Sequence, residues 1–575
     1  MSSTQNKFPS ASREDWRALV SATLQGVDPQ NLNRLDEDGL EIEALYGIGA
    51  PQTLPDATCA ITRLPVNPAV HIANGWDICQ PVLATAAPQS TNQLILNGLQ
   101  DGVGTIWLQG LETGNLAADL PTLMQGVILP AVGIALDASD DVLVQMAAFA
   151  AFARSSNHRL SALRFQANID PFAPTADAAL LDQGLDYLAA ADAADVPTGL
   201  FRAQGWHWHN RGMTAVQELA YSLASLTEIL RHAAAQGLDP ADLAPRLSVS
   251  LALPADLFDG IAKCRALRQC WGGVITALGL DPDRHRLFIQ AAVSLRMFSL
   301  ADREVNILRT TTALLGGAIG GADQLSAHPH DCLTGGDAMG RRLARMQQHL
   351  LIEESGLSRS LDPAGGAGFI EARTNQLAAV AWDLFQQIEA DGGALVAHHA
   401  GRFAAWAKTA AARRHAKVAA GKLTLVGVNL QPDGSILDDV LPYWAPVRRP
   451  AAAIEAVRRA AAKAPPRILL LQQQLMPVPQ LAKLRALFAI GGMQPVHMQL
   501  DDTSGKAVDT ARPDLVVLLD GEFDQLDAAV LTALSALRDA GKALTAAILL
   551  DASAPLDLLA DIVDVSLAEF REGDA

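Results

Sequence analysis

From about Gly104 to about Gly393 the chain alternates short β-rich apolar runs with long amphipathic ones, and this rhythm restricts the fold more than any other feature. Candidate strands are Thr105–Gln109, Gly126–Ala135, Ala162–Ile169, Thr198–Ala203, Arg246–Leu253 and Arg286–Val293. The intervening helices are marked by spacing. In the one starting near Leu257, the residues Leu257, Ile261, Cys264, Leu267, Trp271, Val274 and Leu278 recur at threes and fours, with Asp256 placed to cap the first turn. Such a face belongs against a sheet. Strand–helix–strand crossovers share one hand, so about seven or eight of them repeated in one direction close on themselves, which predicts a (β/α)8 barrel. A doubly wound open sheet is the alternative.

The alternation divides the 575 residues into four stretches. Residues 1–40 form an N-terminal arm, 41–393 the barrel, 394–465 an interdomain connector and 466–575 a small doubly wound domain. Ahead of residue 104, a helix over Asp15–Leu24 and an extended, Pro-punctuated stretch are expected to lie on a neighbour. The connector holds an Ala/Arg-rich helix, a short strand around Leu423–Val428 and a Pro- and Arg-bearing run, Leu441–Pro450. Alternation resumes with a strand at Arg467–Leu471, a helix from Val478, a strand near Val496, the run Leu515–Asp520, a helix over Asp524–Asp539 and the run Leu544–Leu550.

Charge and cysteine usage narrow the function classes. With 44 Lys and Arg against 62 Asp and Glu, a formal charge of -18 offers no basic field to a phosphate backbone, so nucleic acid is not expected as a partner. The cysteines Cys59, Cys79, Cys264, Cys270 and Cys332 are scattered and form no CxxC pair, which argues against a disulfide framework or a zinc knuckle and fits a reducing cytoplasm. The start, MSSTQNKFPSASREDW, lacks a basic segment followed by an apolar one, and no later stretch keeps about 18 apolar residues together. The expectation is a soluble cytoplasmic protein with no membrane partner.

Several strings, in order, carry a resemblance to one family. DGLEIEALYG (Asp38–Gly47), GWHWHNRGMTAVQELAY (Gly205–Tyr221), RTTTALLGG (Arg309–Gly317), RRLARMQQHLLIEESG (Arg341–Gly356), DPAGGAGFIE (Asp362–Glu371) and QQIEADGG (Gln386–Gly393) together resemble the acyl-CoA mutases typified by methylmalonyl-CoA mutase. That resemblance implies a barrel binding an acyl-CoA along its axis, followed by a flavodoxin-like domain that carries adenosylcobalamin and supports a radical rearrangement.

The same alignment implies that the chemistry has left this chain. Active members present a DxHxxG loop after the first strand of the cobalamin domain, its His being the lower cobalt ligand and its Asp holding the other ring nitrogen. Here the loop is QQQLMPVPQ, with Gln472, Gln473 and Gln474 at its head and no His, Asp or Gly through Gln480. LLDGEFD (Leu518–Asp524) and LLDASAP (Leu549–Pro555) replace the later glycine-rich turns, and His497 is expected to be an ordinary, partly buried histidine. In the barrel, GWDICQP (Gly75–Pro81) resembles the family's WTIRQY, with Cys79 in place of an Arg and Pro81 in place of a Tyr. His207 matches the family histidine that hydrogen-bonds the thioester carbonyl, but Trp206 replaces the Tyr before it, so His207 is expected to be a relic. In FIQAAVSLRMF (Phe288–Phe298), Ala292 replaces a His and Ser294 a Gln, while Ser326 stands where a polar turn carries its His. SAHPHD (Ser326–Asp331) offers two imidazoles without a third ligand, and HWH (His207–His209) no more, so no metal site is expected. Of the family's aromatic pair after AGGAG, Phe369 alone remains.

These readings imply the small, non-catalytic subunit of a heterodimeric mutase, with no catalytic residue intact and no cofactor of its own. Adenosylcobalamin and the acyl-CoA belong to a catalytic large subunit. The alternatives are an autonomous acyl-CoA mutase of altered substrate that binds cobalamin without a His ligand, and a protein that loads or protects a mutase. Sequence leaves open whether the barrel axis is filled or hollow.

Overall fold

The structure, a computed structural model, describes residues 12–47, 75–85, 87–191, 195–433, 437–472, 478–499, 513–518, 543–546 and 559. Two compact units emerge: 1–294 with 310–328 and 341–407, and 295–309 with 329–340 and 408–575.

The first unit is a closed barrel of eight parallel strands with the helices of a TIM barrel between them. The strands are β1 (Asp77–Leu83), β2 (Thr105–Gln109), β3 (Gly133–Leu136), β4 (Arg164–Ile169), β5 (Gly199–Ala203), β6 (Leu247–Leu253), β7 (Phe288–Val293) and β8 (Gln324–Ser326). Closure excludes the open-sheet alternative: Gln324 in β8 pairs with Asp77 of β1 on one side and with Gln290 of β7 on the other. The strand expected over Gly126–Ala135 is shorter, because Pro130 lacks an N–H and sits in a 3-10 turn, Leu129–Ala131, ahead of β3.

Helix Leu257–Ala277 is capped as its sequence indicates: Asp256 Oδ1 accepts from Phe258 N at 3.1 Å and from Asp259 N at 3.2 Å. The glycines of RTTTALLGG answer to packing. A Cβ on Gly316 would lie 3.4 Å from Gly260 Cα, and one on Gly317 would lie 2.7 Å from side-chain carbons of Leu253 and Leu325. Only hydrogen allows helix Val305–Ile319 to approach the strands and its neighbouring helix so closely.

Part of the N-terminal segment lies on its own barrel. The ribbon of Arg34–Leu35 with Glu41–Ile42 is fastened by Arg373, from helix Gly368–Ala390, which donates through Nη2 to Asp36 at 2.5 Å and through Nε to Asp259 at 2.8 Å. The expectation of an arm resting on a neighbour is therefore corrected for these residues. Helix Arg13–Thr23 buries none of its side chains, and residues 48–74 lie outside the described residues.

In the second unit a core of Val418, Val428, Ile454, Val457, Leu470 and Phe488 packs beside a four-stranded parallel sheet. Its strands are β9 (Ile468–Gln472), β10 (Val496–Gln499), β11 (Leu515–Leu518) and β12 (Ala543–Ala546), in the order β10-β9-β11-β12. Leu423–Val428 is not the expected strand. Gly427 has φ +77°, and Asn429 closes a turn by accepting from Leu425 N and donating to Leu423 O, leaving a single bridge between Val426 and Leu430. The helix expected over Asp524–Asp539, with residues 519–520 and 547–550, lies outside the described residues. Among the described residues no helix is long and apolar enough to cross a membrane.

Arg268 ties the N-terminal ends of the last two barrel strands together. From helix Leu257–Ala277 it donates to Leu287 O at 2.7 Å, Gly321 O at 2.8 Å and Asp323 Oδ2 at 2.7 Å, and that same carboxylate oxygen accepts from Ile289 N at 2.7 Å. Truncating one partner of a buried pair strands the other, at a cost of about 3–5 kcal/mol. Arg268→Ala is expected to lower unfolding stability by that amount in a denaturant titration, and a loss under about 1 kcal/mol would show that the tie is dispensable.

Candidate functional site

A (β/α)8 barrel presents its chemistry at the C-terminal ends of the strands, and what occupies the axis below them decides what can enter. At the N-terminal end, Asp77 Oδ2 of β1 accepts from Thr105 Oγ1 of β2 at 2.5 Å, Arg164 Nη2 of β4 at 2.6 Å and Gln324 Nε2 of β8 at 2.9 Å. One level up lies Arg202 of β5, 1% exposed. It donates to Ser248 Oγ of β6 at 2.9 Å, Gln290 Oε1 of β7 at 2.5 Å and Gln166 Oε1 of β4 at 2.9 Å. Gln290 passes the connection on, donating to Ser326 Oγ of β8 at 3.0 Å and facing Cys79 Sγ of β1 at 3.6 Å. Burial pulls Arg202 down to about 10, still cationic at neutral pH, and pushes the Cys79 thiol up to about 12, which leaves it protonated and unreactive.

The mouth is filled by rings. Trp107 of β2 meets Trp206, just beyond β5, edge to face with centroids 5.2 Å apart. His328, just beyond β8, stacks on Trp206 at 5.4 Å with 9° between planes, and Trp107 meets His328 at 5.8 Å. Trp206 Nε1 donates to Val293 O at the end of β7 at 3.0 Å. Strands 2, 5, 7 and 8 lie around the whole ring, so groups that touch one another from these positions must cross the axis. The axis is therefore filled at three levels, a point on which the sequence is silent.

His328, His207 and His209 are each engaged by a polar partner. His328 Nε2 donates to Gln109 Oε1 at 3.1 Å, and burial drives its pKa to about 3, so the stacked imidazole is neutral. His207 Nε2 donates to Asp137 Oδ1 at 3.0 Å, with its side chain 22% exposed. His209 lies between Ser294 Oγ (3.0 Å) and Glu218 Oε2 (2.9 Å), and Glu218 in turn pairs with Lys263 and accepts from Ala252 N at 2.7 Å. Just beyond β4, Asp170 accepts from Tyr221 Oη and Gln204 N, each at 2.6 Å, and burial raises its pKa to about 6.

The other positions singled out from sequence are dispersed. Cys79 and Pro81 are buried in β1, Pro81 in register with Trp107. Ala292 lies between Ala252 and Ser326 in the sheet. His328 belongs to the barrel unit, while His330 and Asp331 belong to the other. No group of three or more His, Cys, Asp or Glu able to hold a metal occurs among the described residues. Phe369 has found new aromatic partners, Tyr46 at 5.0 Å and Phe258 at 5.3 Å, and a Cβ on Gly368 would lie 2.9 Å from Gly47 Cα. Gln472 ends β9, whereas Gln473 and Gln474 lie outside the described residues. His497 sits in β10, its pKa lowered by partial burial and then by Arg485. Sequence reasoning missed Trp107, Gln109, Asp137 and Arg202. The signal for Arg202 and Gln290 was present: a long polar side chain inside an otherwise apolar strand of a barrel points to the axis or to a helix, and only closure decides between them.

The family model described as Methylmalonyl-CoA mutase matches residues 102–435. A Mycobacterium tuberculosis protein named "Probable methylmalonyl-CoA mutase small subunit" is 34% identical over 558 residues, covering 88% of this chain and 87% of its own. The Streptomyces virginiae "Methylmalonyl-CoA mutase small subunit" is 32% identical over 444 residues, covering 74% and 71%. A Rhizobium meliloti "Methylmalonyl-CoA mutase" is 26% identical over 460 residues, covering 72% and 63%. The matched span takes in all but the first barrel strand, and with relatives this similar over most of its length, the chain belongs to the methylmalonyl-CoA mutase family, a family of isomerase type.

Proposed function

We propose that this chain is the non-catalytic small subunit of an adenosylcobalamin-dependent mutase that interconverts methylmalonyl-CoA and succinyl-CoA, working in the cytoplasm as one half of a heterodimer. The observation that carries this reading is the stack of Trp107, Trp206 and His328 across the barrel mouth, above the Arg202 network. An acyl-CoA threaded along the axis would have to displace aromatic contacts worth about 0.5–1.5 kcal/mol each beyond their buried area, and leave the donors of Arg202 unmatched. The chain's own groups satisfy one another instead. His207, which could otherwise polarise a thioester, is taken up by Asp137.

The order β10-β9-β11-β12 of the second unit's parallel sheet supports a degenerate flavodoxin-like domain. The donor set from Gln472 to Gln480 does not fit cobalamin held through histidine, since amide side chains are poor substitutes for imidazole on cobalt. No step of the rearrangement is therefore assigned to this chain. Its framework serves a large subunit that holds the cofactor and the thioester, and the family's small-subunit names support that division.

Two measurements test the proposal. The purified chain mixed with cobalamin and desalted is expected to stay colourless, and to form an equimolar complex on size exclusion with a relative that has an intact DxHxxG loop. Red colour on the lone chain, together with turnover of an acyl-CoA, would establish the autonomous enzyme instead. Within the complex, His207→Ala is expected to leave turnover within about two-fold of wild type, whereas removal of a working acid–base group costs about 10²–10⁴-fold.

A further inference from the structure

The Arg-bearing connector of the second unit builds a cavity that the mutase reading does not use. About 350 Å³ in volume, it lies between residues 411–415 of helix Arg402–Ala419, the segment 440–450 and helix Ala452–Lys463. That volume is in the range of about 300–1,000 Å³ typical of small-molecule sites. Arg414, His415, Arg448 and Arg459 line it beside the ring of Trp444, and Arg449 adds a cation that is paired with Glu455 at 2.8 Å. No carboxylate is among the described residues that line it. In a chain of net charge -18 such a gathering of cations is not a sampling of the average surface.

Burial strengthens that field. Arg414 and His415 are 8% and 6% exposed, so their interactions act where water screens little. Helix Ala452–Lys463 begins at the cavity with Ala452, but Glu455 in its first turn, paired with Arg449, offsets the positive end of its dipole, so the field there is that of Arg414, Arg448 and Arg459. Guanidinium groups match phosphate oxygens in pairs, and an indole wall suits an apolar or aromatic body.

We propose that this cavity binds a small phosphorylated ligand, a phosphate monoester or diphosphate, through Arg414, Arg448 and Arg459, with its organic part against Trp444. The half-open pocket, about 350 Å³ in volume, suits a small molecule better than an acidic peptide, which would need a longer groove. The inference is independent of whether the barrel is catalytic.

Isothermal titration of the full chain with inorganic pyrophosphate and with ADP, at constant ionic strength, is expected to give a micromolar Kd for at least one. The double variant Arg448→Gln with Arg459→Gln should weaken it at least tenfold while keeping the far-ultraviolet spectrum of the parent. If that variant does not fold, Ala411→Glu, which sets a carboxylate at the cavity wall and removes no arginine, should have the same effect. Absence of heat with both probes, unchanged affinity in the folded variants, or equal binding of a tetra-glutamate peptide would overturn the proposal.

Discussion

The guanidinium of Arg202 is the fixed point around which the interior of the barrel is arranged. A cation buried to this depth stays charged near neutral pH, so the surrounding strands must supply acceptors, and Ser248, Gln290 and Gln166 do so from three of them. Leaving any one of these donors unmatched costs about 1–3 kcal/mol. The constraint propagates, because Gln290 is oriented at its carbonyl end by Arg202 and uses its amide end to reach Ser326. A barrel core of this kind is held by directional bonds as well as by packing, and directional bonds tolerate little widening of the ring.

Much of this could be read from the sequence, and the exceptions have physical causes. Strand β2 coincides with its β-rich run, Thr105–Gln109, and helix Leu257–Ala277 starts where Asp256 can cap it. β8 escaped notice because three residues are too few to display any period. β3 began late because Pro130 interrupts the apolar run that leads into it. The turn at Leu423–Val428 has β-forming residues, but its conformation is set by Gly427 and by the side chain of Asn429 reaching back to the backbone. At the barrel mouth, Trp107 was legible as a strand residue and Trp206 as a substitution. That their rings meet depends on closure, which no local window contains.

The helix–strand seams and the strand ends of the barrel are held by different kinds of contact. At the seams packing is close, as at Gly316 against Gly260 and Gly317 against Leu253 and Leu325, where any added carbon would push helix from its neighbours. At the mouth the groups bind one another: imidazole to amide, imidazole to carboxylate, indole to backbone carbonyl.

Trp107 and Trp206 stand 5.2 Å apart at 74°, an arrangement in which the transition moments of two chromophores couple. Rings fixed in this way contribute to the near-ultraviolet circular dichroism, a contribution lost when the strands separate even while the surrounding helices keep their far-ultraviolet signal.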